Sequence, residues 1–297
     1  MYRGRDLFLR RLCVCLTLFF AIFLAIYEVA ESREQVFSIR LLPKKVYQGE
    51  MVKVFIRPTS PEIRLLSCNF LGKEIPYVKD KTSYWCLLGA GLNEKTGLRL
   101  LTLRWEKGGE KGIWTVPIMV YKKDYPKEFL KVPEKMVEFP KPILKRVLED
   151  QRAIRSALSS VSFNKFFDGH FIKPVPGQIK SPFGLRRYFN RKPRNPHSGV
   201  DLSAQRGTPV LASNSGRIVL VRDCYLSGKT VVINHGLGLY SIYAHLDKTF
   251  VHTGQIVQKG EKIGLSGMTG RATGPHLHWG ISLYGMRVDP LSVLRIF

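Results

Sequence analysis

The stretch TGPHLHWG, residues 273–280, places two of the chain's seven histidines one residue apart. In an extended strand, residues i and i+2 face the same side of the sheet. His276 and His278 would then point to one face, while Leu277 and Trp279 would point to the other. Two imidazoles on one face form half of a metal site, but such a pair alone more often belongs to an ordinary core or surface.

A second stretch, PHSGVDLSA at residues 196–204, supplies the remaining donors for a metal site. His197 and Asp201 face the same side if this stretch is extended. Catalytic zinc sites combine imidazole and carboxylate ligands and use three protein ligands, which leaves a fourth position open. These two residues and one histidine of the HxH pair therefore predict a catalytic zinc site. The spacing does not say which histidine of the pair binds, and Asp201 by itself could instead cap a turn.

His245, in SIYAHLDK at residues 241–248, follows a strand-like run. Alone it would be an ordinary turn histidine, but beside a metal it is a candidate to orient or deprotonate water, with the surplus imidazole of the HxH pair doing the complementary task. The sequence contains neither HExxH nor GxSxG. Cys224 has no neighbouring histidine in the sequence that would activate it as a nucleophile.

The chain carries a formal charge of +24, from 47 Lys and Arg against 23 Asp and Glu. Such a charge calls for an anionic partner or environment, such as nucleic acid, membrane or cell-wall polymer. The excess is spread along the chain, and no zinc-finger, RNP or helix-turn-helix pattern is present. The sequence therefore does not predict a nucleic-acid partner.

The first 30 residues read as an export signal. A basic lead at residues 1–11 precedes LCVCLTLFFAIFLAIY, sixteen residues without a charge. We predict a transmembrane signal-anchor at 12–30 that leaves residues 1–11 in the cytoplasm and the rest outside. A cleaved signal peptide is the alternative.

The remaining chain divides by pattern. Residues 31–132 show short β-rich runs separated by turns and predict a small immunoglobulin-like β-sandwich, a spacer, docking or inhibitory module without histidine. Residues 133–168 predict a linker and one helix, and residues 169–297 predict an all-β domain. Cys68 and Cys86 are either a disulfide or two unrelated buried thiols.

Five motifs occur together and in order: SPFGLR, HSGVDLSAQRGTPVLASNSG, YAHL, VHTGQIVQKGEKIGLSGMTGRATGPHLHWG and VDPL. Through them, residues 179–291 resemble the lysostaphin-like zinc endopeptidases of peptidase family M23, which cut peptidoglycan cross-bridges. The resemblance implies a mainly β protein with a barrel-sandwich-hybrid-like catalytic domain.

The resemblance also assigns roles to residues. It implies that zinc (Zn²⁺) is bound by His197, Asp201 and His278, and that His245 and His276 are the catalytic histidines. Arg186 matches a structural or substrate-binding position, and Tyr188 is the nearest candidate for a tyrosine that stabilises the oxyanion. His235 is expected to be structural, whereas His170 and His252 are expected to be exposed.

The implied function is zinc-dependent hydrolysis of peptidoglycan peptide stems, at a bond between D-Ala and diaminopimelate rather than in a glycine bridge. The implied location is the inner membrane with the catalytic domain in the periplasm, with envelope proteins as further partners. We also expect metal loss at acid pH and higher activity after deletion of residues before about 170. The alternative is a non-enzymatic protein of the same fold that binds peptidoglycan or activates other hydrolases. The sequence does not indicate an oligomeric state.

Overall fold

The computed structural model describes residues 35–131 and 139–297. The predicted membrane anchor at 12–30 lies outside these residues. Within the two described ranges, neither helix combines the length and the apolar character needed to cross a bilayer.

Short runs of β-branched and aromatic residues between turns become nine strands in the amino-terminal part. They are β1 (Phe37–Leu42), β2 (Val46–Tyr47), β3 (Met51–Pro58), β4 (Arg64–Phe70), β5 (Lys73–Glu74), β6 (Tyr77–Asp80), β7 (Ser83–Gly89), β8 (Gly97–Lys107) and β9 (Glu110–Tyr121). They form one sheet in the order β1-β3-β7-β6 and a second in the order β2-β9-β8-β4-β5. Both sheets contribute buried side chains to one hydrophobic core.

Cys68 on β4 and Cys86 on β7 meet in this core, one from each sheet. Their sulfur atoms are 3.8 Å apart, and both thiols are free and buried. A disulfide requires a sulfur–sulfur distance near 2.05 Å. The structure therefore shows two buried thiols in contact rather than a covalent bridge.

The predicted connecting helix is confirmed as α1 (Lys141–Ala157). Proline in its first turn suits a helix start, because the proline nitrogen has no hydrogen to leave unsatisfied. Val147 and Asp150 are its buried residues. Asp150 accepts hydrogen bonds from Arg222 Nε at 2.7 Å and from the backbone nitrogen of Tyr225 at 2.8 Å. These contacts attach α1 to the carboxy-terminal part of the chain.

Before α1, strand β10 (Lys127–Leu130) pairs in parallel with a strand of the carboxy-terminal part. The strands of that part are β11 (Ile179–Ser181), β12 (Arg186–Phe189), β13 (Lys192–Pro193), β14 (Val200–Ser203), β15 (Pro209–Leu211), β16 (Gly216–Cys224), β17 (Gly228–Gly236), β18 (Leu239–Thr249), β19 (Ile256–Val257), β20 (Lys262–Ser266), β21 (His276–Leu283) and β22 (Met286–Val288). The partner of β10 is β12, which also pairs with β13.

The largest sheet runs in the order β11-β14-β21-β18-β17-β16-β19, with β15, β20 and β22 attached to it. All of its strand pairs are antiparallel. At its centre, β21 lies between β14 and β18. The HxH stretch therefore belongs to a strand that has a hydrogen-bonded neighbour on each side.

The prediction of an all-β domain at 169–297 is wrong for the last residues of the chain, which form helix α2 (Pro290–Ile296). Asp289 caps this helix, because its carboxylate accepts a hydrogen bond from the backbone nitrogen of Leu291 at 2.9 Å. The Asp-Pro pair at 289–290 is a helix-start signal that the strand pattern obscured.

The two parts of the chain share one core. The ring of Trp85 from β7 lies 6.4 Å from the ring of Phe167 and 6.2 Å from that of Phe297. The Tyr284 hydroxyl donates to the carbonyl of Leu87 at 3.0 Å. Removing the amino-terminal sheets would expose these apolar surfaces to water.

A charged cluster lies at the same junction. Glu50, on the amino-terminal side, contacts Lys123 at 2.6 Å and Arg295 at 3.1 Å. Lys123 also lies 3.6 Å from Asp289, the capping residue of α2. The start of α2 is therefore linked to the amino-terminal sheets.

His235 is confirmed as a structural histidine. It is fully buried on β17, with Nδ1 2.8 Å from the Ser215 carbonyl and Nε2 2.7 Å from the Ser241 hydroxyl. Burial lowers the pKa of His235 to about 4. His170 and His252 are exposed, as expected.

We predict that His235 makes the protein less stable as the pH falls from about 6.5 to about 4. In this window the unfolded histidine takes up a proton that the folded histidine does not, so protonation favours unfolding, by about 3 kcal/mol over the whole window. Above pH 6.5 the contribution is fully present. Urea unfolding at several pH values should show a shallower pH dependence for His235→Gln than for wild type. His252→Gln is the matched exposed control, and an unchanged slope in His235→Gln would refute the prediction.

Candidate metal centre

The register between β14 and β21 builds the centre of the site. Asp201 lies directly opposite His278, and Ser203 lies opposite His276. Between them, Leu202 pairs with Leu277 on the other face of the sheet, where both are fully buried. The predicted division of the HxH stretch into two faces is confirmed.

Three side chains that the sequence singled out converge on one point. His197 Nε2 and His278 Nδ1 each lie 3.0 Å from Asp201 Oδ1, and they lie 3.0 Å from each other. Ligand atoms at 2.0–2.1 Å from a tetrahedral zinc are about 3.3 Å apart. The donor set therefore fits zinc in both chemistry and spacing, and it is the one such group of His, Cys, Asp and Glu among the described residues.

The hydrogen bond at the far side of His197 supports this fit. Its Nδ1 lies 2.9 Å from the carbonyl of Pro182, which can only accept a hydrogen bond. Nδ1 therefore carries the proton, and Nε2 presents a lone pair to Asp201 and His278. A metal-binding histidine commonly has this arrangement, because the outer hydrogen bond fixes both the tautomer and the ring orientation.

The electrostatics keep His278 and Asp201 in the forms that bind a cation. Burial lowers the pKa of His278 to about 4, so the imidazole is neutral at physiological pH. Burial alone would raise the pKa of Asp201, but the adjoining imidazoles of His197 and His278 outweigh it and hold this pKa well below its ordinary value. The neutral imidazole of His278 and the carboxylate of Asp201 thus face each other before any metal binds.

Gly199 is required for this packing. A Cβ at this position would lie 2.4 Å from the carbonyl oxygen of Trp279 and 2.8 Å from Nε2 of His278. Any side chain would therefore push the His278 ring or separate β14 from β21. The sequence placed Gly199 between two ligands but did not indicate that it touches the third.

The two remaining histidines lie beside the three donors. The ring centroids of His245 and His276 are 4.7 Å apart, and those of His245 and His278 are 6.2 Å apart. His276 Nε2 lies 3.8 Å from Asp201 Oδ1. All five histidine and aspartate side chains predicted for the centre are therefore brought together.

Backbone carbonyls also fix these two imidazoles. Nδ1 of His276 lies 2.8 Å from the carbonyl of Gly274, and Nδ1 of His245 lies 2.8 Å from that of Thr269. Each Nδ1 donates its proton, which leaves Nε2 as the free base. His245 is almost fully buried, and burial lowers its pKa, which favours the neutral form. Its φ of 62° lies in the left-handed region, a strain typical of functional positions.

Arg186 and Tyr188 lie on β12 and are half-buried. The Tyr188 ring stacks on Phe129 of β10 at a centroid distance of 4.7 Å, and the backbone nitrogen of Arg186 donates to the Pro126 carbonyl. Within residues 35–131 and 139–297, no hydrogen bond joins either side chain to a histidine of the centre. Their roles in substrate or oxyanion binding stay predictions.

The SPFGLR stretch has a role that sequence patterns did not reveal. The backbone nitrogen of Gly184 donates to the His197 carbonyl at 2.9 Å, and the His197 nitrogen donates to the Leu185 carbonyl at 3.0 Å. Together with the Pro182 carbonyl, these bonds hold His197 from both its backbone and its ring. Backbone carbonyls leave no signature in a sequence, so this support could be found only from the structure.

Residues 195–290 match Peptidase family M23 over the stretch that contains His197, Asp201, His245, His276 and His278. This part of the chain is an M23 peptidase domain. The crystal structure of a Pseudomonas aeruginosa protein described as a peptidase M23 is 28% identical and has a TM-score of 0.64. The match covers 86% of this chain and 97% of that one.

Two curated relatives match part of the chain. Peptidoglycan DD-endopeptidase ShyA of Vibrio cholerae is 43% identical over 116 residues, which are 39% of this chain and 27% of the relative. DD-carboxypeptidase/endopeptidase Mpg of Neisseria meningitidis is 41% identical over 126 residues, which are 42% of this chain and 29% of the relative. The chain thus spans less than a third of the length of these relatives.

We predict that the purified M23 domain protein binds one zinc ion and that Asp201→Ala lowers its zinc affinity by at least about 100-fold, because the carboxylate is the charged member of the set. Zinc content and competition with a chelator would measure the change. Asp223→Ala, at an exposed carboxylate on β16, is the matched control. Equal zinc affinity in the Asp201 and Asp223 variants would contradict the assignment of the centre.

Proposed function

We propose that this protein is a zinc-dependent endopeptidase that hydrolyses peptide cross-links of peptidoglycan. The observation that carries the proposal is the convergence of His197 Nε2, Asp201 Oδ1 and His278 Nδ1, each 3.0 Å from the others, beside two further imidazoles. Three donors with an open side are typical of a catalytic zinc site.

When bound, zinc would polarise the scissile carbonyl and lower the pKa of water toward neutrality. His197, Asp201 and His278 would hold it. His276 and His245 present unprotonated Nε2 atoms, so one of them accepts the proton of the attacking water and returns it to the leaving amine. The other, after it takes up a proton from solvent at Nε2, would stabilise the negative charge that develops on the carbonyl oxygen.

The names of the relatives support peptidoglycan as the substrate class. ShyA is a peptidoglycan DD-endopeptidase, and Mpg is a DD-carboxypeptidase/endopeptidase. We therefore propose a bond between D-Ala and diaminopimelate as the target, in agreement with the expectation from the motifs.

We predict that the zinc-loaded wild-type protein cuts the cross-links of peptidoglycan sacculi and releases soluble glycan strands that carry uncross-linked stems. His276→Ala should lower the rate by about 10²–10⁴-fold, the range of a general acid–base group. Chromatography of digested sacculi would measure the rate. His276 is not among the three proposed ligands, so this variant should keep its zinc. His252→Ala, at an exposed histidine, is the matched control.

Two outcomes of this experiment would count against the enzyme. If zinc-loaded wild type binds sacculi but releases nothing, the non-enzymatic alternative is favoured. If His276→Ala digests sacculi as fast as wild type, the assigned role of His276 is wrong. Assaying His245→Ala in parallel shows which of the two histidines contributes more.

For the amino-terminal sheets we propose an immunoglobulin-like domain with a docking role. The sheet order β1-β3-β7-β6 corresponds to strands A, B, E and D of an immunoglobulin domain. In the second sheet, the neighbouring strands β9, β8 and β4 correspond to strands G, F and C. The expectation of inhibition stays a prediction. Deleting all residues before 170 is a poor test of it, because this also removes Trp85 and Phe167 from the shared core.

We further propose that residues 12–30 anchor the protein in the inner membrane and that the M23 domain lies in the periplasm. The uncharged run at 12–27 and the basic residues before it support this orientation. Envelope proteins then have access to the amino-terminal sheets.

We predict that the full chain remains with the membrane after a high-salt wash and that external protease degrades it in spheroplasts but not in intact cells. Immunoblotting of the fractions would measure both. A variant lacking residues 1–30 should stay in the cytoplasmic fraction, since it has lost the export signal. Release of a shortened wild-type protein into the soluble periplasmic fraction would instead support the cleaved signal peptide.

A further inference from the structure

Arg287 on β22 shares a face of the sheet with the metal centre. It pairs with Ser282 of β21, and paired residues of antiparallel strands point to the same side. His278, Gly280 and Ser282 alternate along β21, so all three point to that side as well. Arg287 therefore belongs to the face that carries the proposed zinc ligands.

The guanidinium group of Arg287 extends from β22 toward the metal centre over Gly280. A Cβ at Gly280 would lie 3.2 Å from Nη1 of Arg287, 3.4 Å from the Ser198 carbonyl and 3.6 Å from Ile242 Cδ1. The missing side chain at position 280 thus leaves room for the guanidinium beside the loop that carries His197. The group lies over the residue two positions from His278, which is about 7 Å along a strand.

This charge has no hydrogen-bond or salt-bridge partner among residues 35–131 and 139–297. Nη1 of Arg287 is buried and makes no hydrogen bond with any described residue, and the neighbouring Ser282 hydroxyl is also buried without a partner. Burial alone lowers the pKa of Arg287, to about 10, so the group remains charged at neutral pH. Buried charges in proteins are normally paired, because removing a charge from water is unfavourable.

The arginine is also accessible from outside. The residue is half-buried, and Nη1 is its one nitrogen that is both buried and unpaired. Part of the Arg287 residue is therefore exposed at the protein surface. A planar guanidinium with free N–H groups is the side chain best suited to bind a carboxylate through two parallel hydrogen bonds.

We propose that Arg287 binds a carboxylate of the substrate peptide, one residue away from the bond held at the metal centre. The proposal rests on the function proposed above for the reacting bond. The step along β21 from His278 to Gly280, over which the guanidinium lies, is about 7 Å. That is the length of two residues of extended peptide, which covers the residue that carries the scissile carbonyl and the next one. Two groups share this chemistry: the terminal α-carboxylate of the peptide, and the side-chain carboxylate of a diamino acid such as diaminopimelate.

Such a carboxylate supplies the negative charge that the structure lacks around Arg287. It would also orient the peptide along β21, so that the scissile carbonyl lies over the His197, Asp201 and His278 donors. Arg287 would thereby select anionic stem peptides over neutral ones. The unpaired charge in the free protein is consistent with a group kept for binding rather than for stability.

Three synthetic cross-linked stem peptides test the proposal. One carries all of its carboxylates, one has the terminal carboxylate amidated, and one has the side-chain carboxylate of the diamino acid amidated. We expect one amidation to lower kcat/KM of the zinc-loaded wild type by at least about tenfold, the size of a charge-assisted hydrogen-bonded pair. The amidated peptide that the wild type cleaves more slowly identifies which carboxylate Arg287 binds.

Arg287→Gln should cleave that amidated peptide and the unmodified peptide with kcat/KM values within about twofold of each other. Arg287→Lys, which keeps the charge without the planar fork, should retain part of the preference. Arg217→Gln removes a positive charge at an exposed position on β16 and should retain the full preference for the unmodified peptide. The melting temperature of Arg287→Gln should not fall, because the variant loses an unpaired buried charge.

Two results would overturn the proposal: Arg287→Gln keeps the wild-type preference, or it loses activity equally on all three peptides. Binding of the same peptides to each zinc-loaded protein, measured by calorimetry, separates this site from the proposed function. If no peptide is cleaved but the carboxylate peptide binds wild type at least about tenfold more tightly than it binds Arg287→Gln, the endopeptidase proposal fails and the carboxylate site stands. Equal binding to both proteins would exclude the site whatever the activity.

Discussion

The antiparallel register between β14 and β21 is the constraint on which the metal centre depends. It places Asp201 opposite His278 and, by the alternation of side chains, sends Leu202 and Leu277 into the core on the other face. A slip of one residue would exchange the two sets, so that donors would be buried and leucines exposed. Burial of the apolar face therefore enforces the geometry of the polar face.

Backbone carbonyls orient the imidazole rings of the site. The carbonyls of Pro182, Thr269 and Gly274 each accept a hydrogen bond from Nδ1 of a histidine in the site. Three imidazoles thus have their protons on the outer nitrogen and their lone pairs directed inward. Their tautomers are set by loop conformation, and the loops are in turn held by the strands that they connect.

The face of β21 that carries His278 extends to Arg287. Gly280 has no side chain, and the guanidinium occupies the space above it. The resulting unpaired positive charge lies near a group of donors that also attracts a cation, which is unfavourable unless an anion joins them. A carboxylate of the substrate would supply that anion, so recognition and catalysis would share one strand.

Much of the site could be predicted from the sequence by itself. Alternation along a strand predicted that His276 and His278 face one side of the sheet and that their neighbours face the other. The spacing of His197 and Asp201 predicted that these two side chains share a face. Both patterns follow from local strand geometry. The fold class and the connecting helix followed from the same kind of local signal. Other features depend on groups distant in the chain: which nitrogen of each histidine faces the metal, the contact of Gly199 with His278, and the placement of Arg287 over Gly280. These were decided by tertiary structure alone, because only strand pairing and loop packing bring those atoms within a few ångströms of each other.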